Sequence, residues 1–355
     1  MNTHGVFIIT GIFILIVAMS TVYFTQYQIR QNPFVDKNLL KRGDEKPPLW
    51  LYYDVSDVNS RWWADFMARS SRALNMPFLN LCYDSIVRQN SQTYRIEVLG
   101  GLADVGRLLG GMDKLPPGLR DKIAPVNEAE LNWIRSALLA RFGGLWLSPY
   151  TICLKPFGRL YNEETSAEER KAVFFGSDPN ETYVADLADV TPSFYAIWAP
   201  RPEMQIFRDW ESVCRGRIAP FEHSHIDEAK LYGFTLEPYP KRGGEQIRGD
   251  ARWDWREMVL KYGDFIDVNI PAELSRKRGG RRIQLEDLLA AGTQGMLPFE
   301  ITPQAIYVPI PWTELRDREY FGWFLRMSEN QILNSDLVVN YLLRKVRPTG
   351  NSNRN

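Results

Sequence analysis

The chain has few cysteines, few histidines and no excess of charge of either sign. It contains three cysteines and three histidines, and 43 basic residues are balanced by 43 acidic ones. The cysteines, at positions 82, 153 and 214, are too far apart for a disulfide framework or a CxxC metal pair. Zero net charge argues against a general nucleic-acid binder, which usually carries an excess of positive charge. P-loop, GxGxxG, GxSxG and HExxH motifs are also missing, so the sequence does not indicate the enzymes built on them.

The composition is otherwise that of a globular protein, with one local extreme. Hydrophobic residues make up 45% of the chain and charged residues 24%, which excludes disorder or a collagen-like fibre for most of its length. Residues 5–25 read GVFIITGIFILIVAMSTVYFT without a charge, and a helix of that length spans roughly 30 Å, the thickness of a bilayer core. After a short tail of residues 1–4, this segment predicts one transmembrane helix; a buried helix or a cleaved signal peptide is the alternative.

The charges that flank this segment predict its orientation. Residues 1–4 carry no lysine or arginine, whereas the residues after the segment include Arg30, Lys37, Lys41 and Arg42. Because basic flanks stay on the cytosolic side, we expect a single-pass membrane protein whose C-terminal part is cytosolic. The scarcity of cysteine agrees with a reducing compartment, while a glycosylation sequon at Asn180 points the other way.

Beyond the anchor, the hydrophobic pattern alternates between strand and helix periods. Polar residues 26–47 predict a stalk, residues 48–217 a core domain, residues 218–347 a C-terminal elaboration and residues 348–355 a disordered tail. Strands are predicted at 49–54, 77–84, 93–100, 145–147, 172–176 and 193–200, with an edge strand at best at 306–312. Helices are predicted at 60–74, 103–109, 127–142, 203–213 and 320–343, and loops at 238–250 and 273–282. This alternation predicts an α/β fold with a mostly parallel sheet.

The helix that ends at residue 142 is the best delimited of these elements. Asn127 is suited to cap it, and Glu130 follows three residues later as in a capping box. Gly143 suits the C′ position that ends a helix, and the apolar strand at 145–147 begins directly afterwards. Ser148 then stands at the carboxyl end of that strand, where ligands bind in open α/β sheets. Position alone therefore makes Ser148 a candidate site residue.

This helix–glycine–strand unit carries a family resemblance. The segment LNWIRSALLARFGGLWLSPYTICLKPF, residues 131–157, resembles the central motif of capsular-polysaccharide-synthesis and sugar-binding DXD glycosyltransferases. The resemblance covers about residues 48–215. It implies a GT-A fold, a Rossmann-like sheet that binds a nucleotide sugar, and transfer of the sugar to a glycan or lipid-linked acceptor. The donor-binding residues that it implies are Trp50, Asn132, Arg135, Gly143, Gly144, Trp146 and Ser148.

Three positions depart from the family pattern. Asn132 and Ser148 replace aspartates, and Tyr150 occupies the second position of the DXD motif. The family aspartate helps to bind Mn²⁺ or Mg²⁺ on the donor diphosphate, and serine is a poor substitute for a carboxylate around such an ion. The sequence therefore identifies no metal ligand and no catalytic base, and whether the chain is an active enzyme stays open.

Two interpretations of these departures follow, and a third uses the basic residues alone. In the first, the protein is a metal-independent transferase, and a basic loop closes over the diphosphate. That loop consists of Arg276, Lys277, Arg278, Arg281 and Arg282. In the second, the site is inactive and the fold remains as a membrane-anchored structural or partner-binding protein. In the third, the basic loop contacts anionic lipid.

Several further residues are candidates for chemistry but fit ordinary structural roles better. The spacing of His223, His225 and Asp227 is compatible with a metal site, but no third strong ligand is nearby to join the two histidines. Asp54 ends the first predicted strand, where it could contact a nucleotide, and Asp178 follows a later one, but turn chemistry is the more common use of both. The tripeptide at 253–255, Trp-Asp-Trp, fits core packing better than sugar stacking, and Cys153 has no histidine partner in sequence.

Overall fold

A computed structural model gives the architecture of most of the chain after the predicted stalk. It describes residues 46–54, 76–120, 122, 126–158, 169–177, 190, 192–223, 255, 257–277, 281–292, 297–317 and 319–346. The chain divides into two compact units, Met1–Arg42 and Gly43–Asn355, and only the second contains described residues. The predicted transmembrane helix at 5–25, most of the stalk, the helix at 60–74 and the tail at 348–355 lie outside them. Within the described ranges, no helix has the length and apolar character needed to cross a bilayer.

A six-stranded sheet forms the centre of the second unit. Its strands are β1 (Pro48–Tyr52), β2 (Arg95–Leu99), β3 (Gly144–Leu147), β5 (Ala172–Ser177), β6 (Pro192–Ala199) and β7 (Ile266–Asn269). They lie in the order β2-β1-β3-β6-β5-β7. The pairs β1–β2, β1–β3 and β5–β7 are parallel, while β6 runs antiparallel to both of its neighbours. The predicted α/β class with a mostly parallel, Rossmann-like sheet is therefore confirmed.

A smaller sheet and the C-terminal segment complete the strands. The strands β4 (Thr151–Cys153) and β8 (Tyr307–Pro309) pair antiparallel in a sheet of their own. Both β7 and β8 come from the segment after residue 217, which the sequence assigned to a separate elaboration. The segment 273–282, which the sequence predicts as a loop, folds back so that Arg276 and Arg282 pair in an isolated antiparallel bridge.

Helices flank the large sheet. They are α1 (Met76–Asn90), α2 (Leu102–Leu109), α3 (Pro117–Arg120), α4 (Glu128–Phe142), α5 (Gln205–His223), α6 (Leu285–Leu289), α7 (Trp312–Asp317), α8 (Gly322–Leu325), α9 (Glu329–Leu333) and α10 (Val338–Val346). Residues from α2, α4 and α5 share one core with Trp50 and Tyr52 of β1. Because successive strand residues alternate between faces, the fully buried Leu49 and Leu51 point to the opposite face. A sheet buried on both faces is the usual state of parallel strands.

The predicted strand at 77–84 is wrong, because these residues form the first part of α1. Buried Phe78, Cys82 and Ile86 recur every four residues, which is the period of one helix face. Pro77 stands in the first turn, where its missing N–H costs nothing and its fixed φ suits a helix. The helix predicted at 320–343 is divided into the short helices α8, α9 and α10, with a break at Asn334 and Ser335.

Candidate functional site

A cavity of about 560 Å³ opens at the carboxyl ends of β1 and β3. The chain leaves β1 to form β2 on one side and returns to form β3 on the other, so the strand order reverses between β1 and β3. Such a reversal separates the loops above the sheet and creates the crevice in which α/β proteins bind ligands. The volume lies within the range of small-molecule sites. The residues that line it include Tyr52, Asp54, Glu128, Asn132, Arg135, Trp146, Ser148, Tyr150, Ser193, Phe194, Tyr195, Glu273, Ser275, Arg282 and Trp312.

Arg135 brings a buried positive charge to this cavity. Its helix α4 begins with the complete capping box of Asn127 and Glu130, so both residues play the predicted role and fix the start of the helix. The Nη1 of Arg135 donates to Glu128 Oε1 at 2.9 Å and to Asn132 Oδ1 at 2.6 Å. Only 3% of Arg135 is exposed. Asn132, where the resemblance implies an aspartate, therefore orients the guanidinium, while Glu128 forms an ion pair with it.

Aromatic rings enclose the same guanidinium. Its carbon lies 5.5 Å from the ring centre of Trp146 and 5.5 Å from that of Phe194, distances at which a cation is attracted to a ring face. Among the described residues, no hydrogen-bond partner reaches Arg135 Nε, Trp146 Nε1 or the Tyr52 hydroxyl, although all three atoms are buried. Buried polar groups are nearly always paired in folded proteins. Three polar side chains that line one cavity therefore have donors without a partner among the described residues, a state that the buried Trp133 Nε1 away from the cavity shares.

Arg282 is the part of the predicted basic loop that reaches the cavity. It is exposed at the mouth, whereas Lys277 is bound to Asp287 and its backbone N–H donates to the carbonyl of Arg281 at 2.7 Å. Arg276 and Arg281 do not line the cavity, and Arg278 lies outside the described residues. One of the five predicted diphosphate-loop residues is thus placed at the cavity.

Glu273 is a buried carboxylate in the cavity that the sequence did not single out. It follows β7 and the short 3-10 turn Ile270–Ala272, and only 8% of it is exposed. Its Oε2 lies 2.7 Å from the Tyr307 hydroxyl oxygen, and the hydroxyls of Ser193 and Ser275 also bond to it. Burial raises the pKa of Glu273 to about 7, because the hydrogen bonds and the nearby Arg282 offset only part of the cost of desolvating a charge.

Tyrosines and a tryptophan form the remaining wall. Tyr150, which the resemblance aligns with the second DXD position, stacks on Trp312 with ring centres 4.8 Å apart and an interplanar angle of 4°. Burial raises the pKa of Tyr150 and of Tyr195, so both stay neutral hydroxyls near pH 7. Ser148 lines the cavity as predicted, and its backbone N–H donates to Tyr195 O at 2.6 Å, which fixes the end of β3 against β6.

Trp50, Gly143 and Gly144 are placed differently from the donor-binding role that the resemblance implies. None of the three is among the described residues that line the cavity. Trp50 Nε1 donates to the carbonyl of Gly143 at 2.8 Å, which ties β1 to the end of α4. A Cβ on Gly143 would lie 2.8 Å from the backbone of Arg201, and one on Gly144 would lie 2.3 Å from the carbonyl of Pro48. These glycines permit close packing of the backbone.

The residues around Ser148 do not fit a divalent ion. Mn²⁺ and Mg²⁺ prefer several carboxylate oxygens, whereas Ser148 and Tyr150 offer neutral hydroxyls. In the described part of the chain, no group of three or more histidine, cysteine, aspartate or glutamate residues is placed to bind a metal. Asp54 lines the cavity, but its Oδ2 accepts the backbone N–H of Val126 at 2.7 Å and so fixes the loop before α4.

The remaining predicted candidates are structural or lie outside the described residues. Cys153 is fully buried, and burial raises the pKa of its thiol to about 12, so it stays protonated. Trp255 packs edge-on against Phe174 in the core. Outside the described residues lie Asp178, His225, Asp227, Trp253, Asp254 and the side chain of His223.

Comparisons of the chain with protein-family models, with curated proteins and with solved structures give no match. The chemistry of the cavity is therefore inferred from its own residues. Of the seven predicted donor-site residues, the structure brings together Asn132, Arg135, Trp146 and Ser148. It adds Glu273, Tyr195 and Trp312, for which the sequence gave no signal beyond a glutamate flanked by the apolar Ala272 and Leu274.

Proposed function

We propose that the cavity binds a nucleoside-diphosphate sugar and that the protein transfers the sugar to a glycan or lipid-linked acceptor. The observation that carries this proposal is the buried Arg135 guanidinium at the switch point of the sheet, whose Nε has no partner among the described residues. Guanidinium groups bind phosphate oxygens through charge-assisted hydrogen bonds. The GT-A interpretation rests on the resemblance around residues 131–157 and agrees with the Rossmann-like sheet.

The charges that would meet a diphosphate are supplied by arginine. Arg135 lies at the wall beside Trp146, and Arg282 is exposed at the mouth. Two cations around a diphosphate provide the charge stabilisation that a divalent ion supplies in DXD enzymes. Because the donor set around Ser148 does not fit such an ion, we propose that the transfer is metal-independent.

The cavity also offers surfaces for the uncharged parts of a donor. Tyr52 and Trp146 contribute buried donors without partners among the described residues, and both stand at the carboxyl ends of adjacent strands. The rings of Tyr150 and Trp312 form an apolar wall. Apolar walls with a few convergent polar groups are typical of small-molecule sites. Sugar faces and nucleobases both pack against aromatic rings.

Nucleotide binding by the full-length chain tests this proposal. Calorimetric titration with UDP and with GDP is expected to give saturable binding by one of them, unchanged by EDTA. A nucleotide at one hundred times its Kd should also stabilise the native state by about 2.7 kcal/mol. Failure of both nucleotides to bind, with or without Mn²⁺, would refute the transferase proposal.

A matched pair of variants on α4 identifies the residue responsible. Arg135→Lys keeps a positive charge but loses the planar fork, and we expect nucleotide binding to weaken by roughly tenfold to a hundredfold. Arg141→Lys is the control: Arg141 is exposed on the same helix, its Nη1 donates to the Leu109 carbonyl at 3.2 Å, and it does not line the cavity. Equal weakening by both substitutions would mean that the nucleotide does not bind at Arg135.

The membrane anchor and the orientation of the chain belong to the same proposal. We propose that residues 5–25 anchor the protein in a bilayer with residues after 25 in the cytosol, where nucleotide sugars would reach the cavity. Expression of the full chain in a secretory host tests this through the sequon at Asn180. Glycan attachment at Asn180 would refute the cytosolic placement, and extraction of the chain by alkaline carbonate would refute the anchor.

A further inference from the structure

Glu273 packs against Gly176, where any other residue would bring a side chain into collision with it. Gly176 adopts φ +93°, and a Cβ built on it would lie 2.5 Å from Glu273 Oε2 and 2.7 Å from Glu273 Cβ. The glycine stands where the register between β5 and β6 shifts. Strand irregularities of this kind often redirect a side chain beside a site. The backbone of β5 is therefore shaped around the carboxyl group of Glu273.

The hydrogen bonds of Tyr307 depend on whether the carboxyl group of Glu273 is protonated. The Tyr307 hydroxyl oxygen lies 2.7 Å from the carbonyl oxygen of Phe175 and 2.7 Å from Glu273 Oε2. A carbonyl oxygen accepts only, and a hydroxyl has one proton to donate. Both bonds form at once only when Tyr307 donates to Phe175 and Glu273 carries a proton that it donates to Tyr307. When Glu273 is ionised, it competes with Phe175 for that one proton.

The groups around Glu273 allow it to change charge. Tyr307 faces it from β8, Ser193 and Tyr195 from β6, and Arg282 from the segment after β7. The hydroxyls and the arginine favour the ionised form, while burial favours the neutral form. The balance gives Glu273 a pKa of about 7. A catalytic base works best when its pKa lies near the working pH.

We propose that Glu273 is the catalytic base that accepts the proton of the attacking hydroxyl group during sugar transfer. This rests on the proposed function. The acceptor oxygen forms a bond to the anomeric carbon of the donor while its proton passes to the Glu273 carboxylate. The bond from the anomeric carbon to the diphosphate oxygen breaks, and its electron pair leaves with the diphosphate, whose charge Arg135 and Arg282 stabilise. The proton then leaves Glu273 for solvent, and the single displacement inverts the anomeric configuration.

Hydrolysis of a donor by the full-length chain tests this step without a known acceptor, because water is then the attacking group. The probes are UDP-glucose, UDP-N-acetylglucosamine and GDP-mannose, and the readout is released nucleoside diphosphate between pH 5 and pH 9. For the wild-type chain we expect kcat to rise with pH through about 7 and the released sugar to form with inverted configuration. Glu273→Gln is expected to bind UDP or GDP as the wild type does, to lower kcat about a hundredfold or more, and to remove the rise.

Two further variants separate a base from a merely structural residue. Glu128→Gln changes another glutamate of the cavity and removes a negative charge beside Arg135, so we expect it to lower KM while keeping the rise near pH 7. Tyr307→Phe keeps Glu273 but removes a hydrogen bond that favours its ionised form, so the rise should move to higher pH. This variant also tests the proposal if Glu273→Gln does not fold.

The outcomes are distinguishable. If the wild-type chain binds neither nucleotide and releases none, the proposed function fails and the role of Glu273 fails with it. If the wild type hydrolyses a donor but Glu273→Gln does so at the same rate and with the same pH dependence, Glu273 is not the base while the function stands. A product of retained configuration would also overturn the single displacement.

Discussion

Replacing Glu273 by glutamine should make the protein more stable at alkaline pH and leave it nearly unchanged at acidic pH. The folded chain raises the pKa of this carboxyl from 4.5 to about 7. A raised carboxyl pKa means that the native state retains a proton that the unfolded chain loses, so native stability falls as pH rises from about 4.5 to about 7. The full effect is about 3 kcal/mol, of which about 2.5 kcal/mol develops between pH 5 and pH 8.

Glutamine does not titrate, and its amide can donate to Tyr307 as the protonated carboxyl does. The free energy of unfolding of Glu273→Gln relative to wild type should therefore rise by about 2.5 kcal/mol between pH 5 and pH 8. Urea unfolding followed by fluorescence of the 11 tryptophans measures it. Other groups titrate in both proteins and cancel in the difference.

Glu257→Gln is the matched control, since Glu257 is exposed and does not line the cavity. Its difference from wild type should not vary with pH. A pH-independent difference for Glu273→Gln as well would show that Glu273 is ionised throughout, and would refute the proton arrangement inferred around Tyr307.

Three further substitutions separate structural residues from binding ones. Trp50→Phe removes the 2.8 Å bond to the Gly143 carbonyl, so we expect a loss of about 1–2 kcal/mol in unfolding free energy with the Kd for UDP or GDP unchanged in calorimetry. Gly176→Ala forces a Cβ to 2.5 Å from Glu273 Oε2 at a φ of +93°, and should lower the unfolding free energy by roughly 1–3 kcal/mol in urea. Asn132→Asp adds a negative charge beside the guanidinium that it now orients, and should weaken nucleotide binding about tenfold in the same titration.

The sequence was sufficient to predict an element whose first and last residues are marked by capping residues of its own. The capping box at Asn127 and the glycine at 143 predicted the helix that became α4, and the strand after it followed directly. The run at 77–84 failed because a short apolar segment does not distinguish a buried strand from a buried helix. Its tertiary environment decides, since α1 packs against β4 and the C-terminal helices α9 and α10.

The residues of the site likewise fall into those that the sequence predicted and those that it did not. Asn132, Arg135, Trp146 and Ser148 were found because they belong to one contiguous motif, and α4 and β3 bring them to one cavity. Glu273 was not predicted from the sequence, because it is distinguished by its contacts with Gly176 and Tyr307, which are distant from it in the chain. Such contacts leave no periodic pattern in the sequence. Trp50 was assigned to the site because it lies on the opening strand, but the structure turns its indole toward the end of α4.

The order in which the chain is synthesised has a consequence for folding. The hydroxyl of Tyr307 bonds to Phe175, 132 residues earlier in the chain, and β7 joins the open edge of β5 from beyond residue 217. A nascent chain that ends at residue 217 would therefore present an unpaired strand edge and no complete cavity. Unpaired edges promote association with other chains, and contacts over such separations form slowly. We expect the last third of the chain to protect the sheet by pairing with its open edge. C-terminal truncations should therefore aggregate rather than persist as a smaller soluble domain.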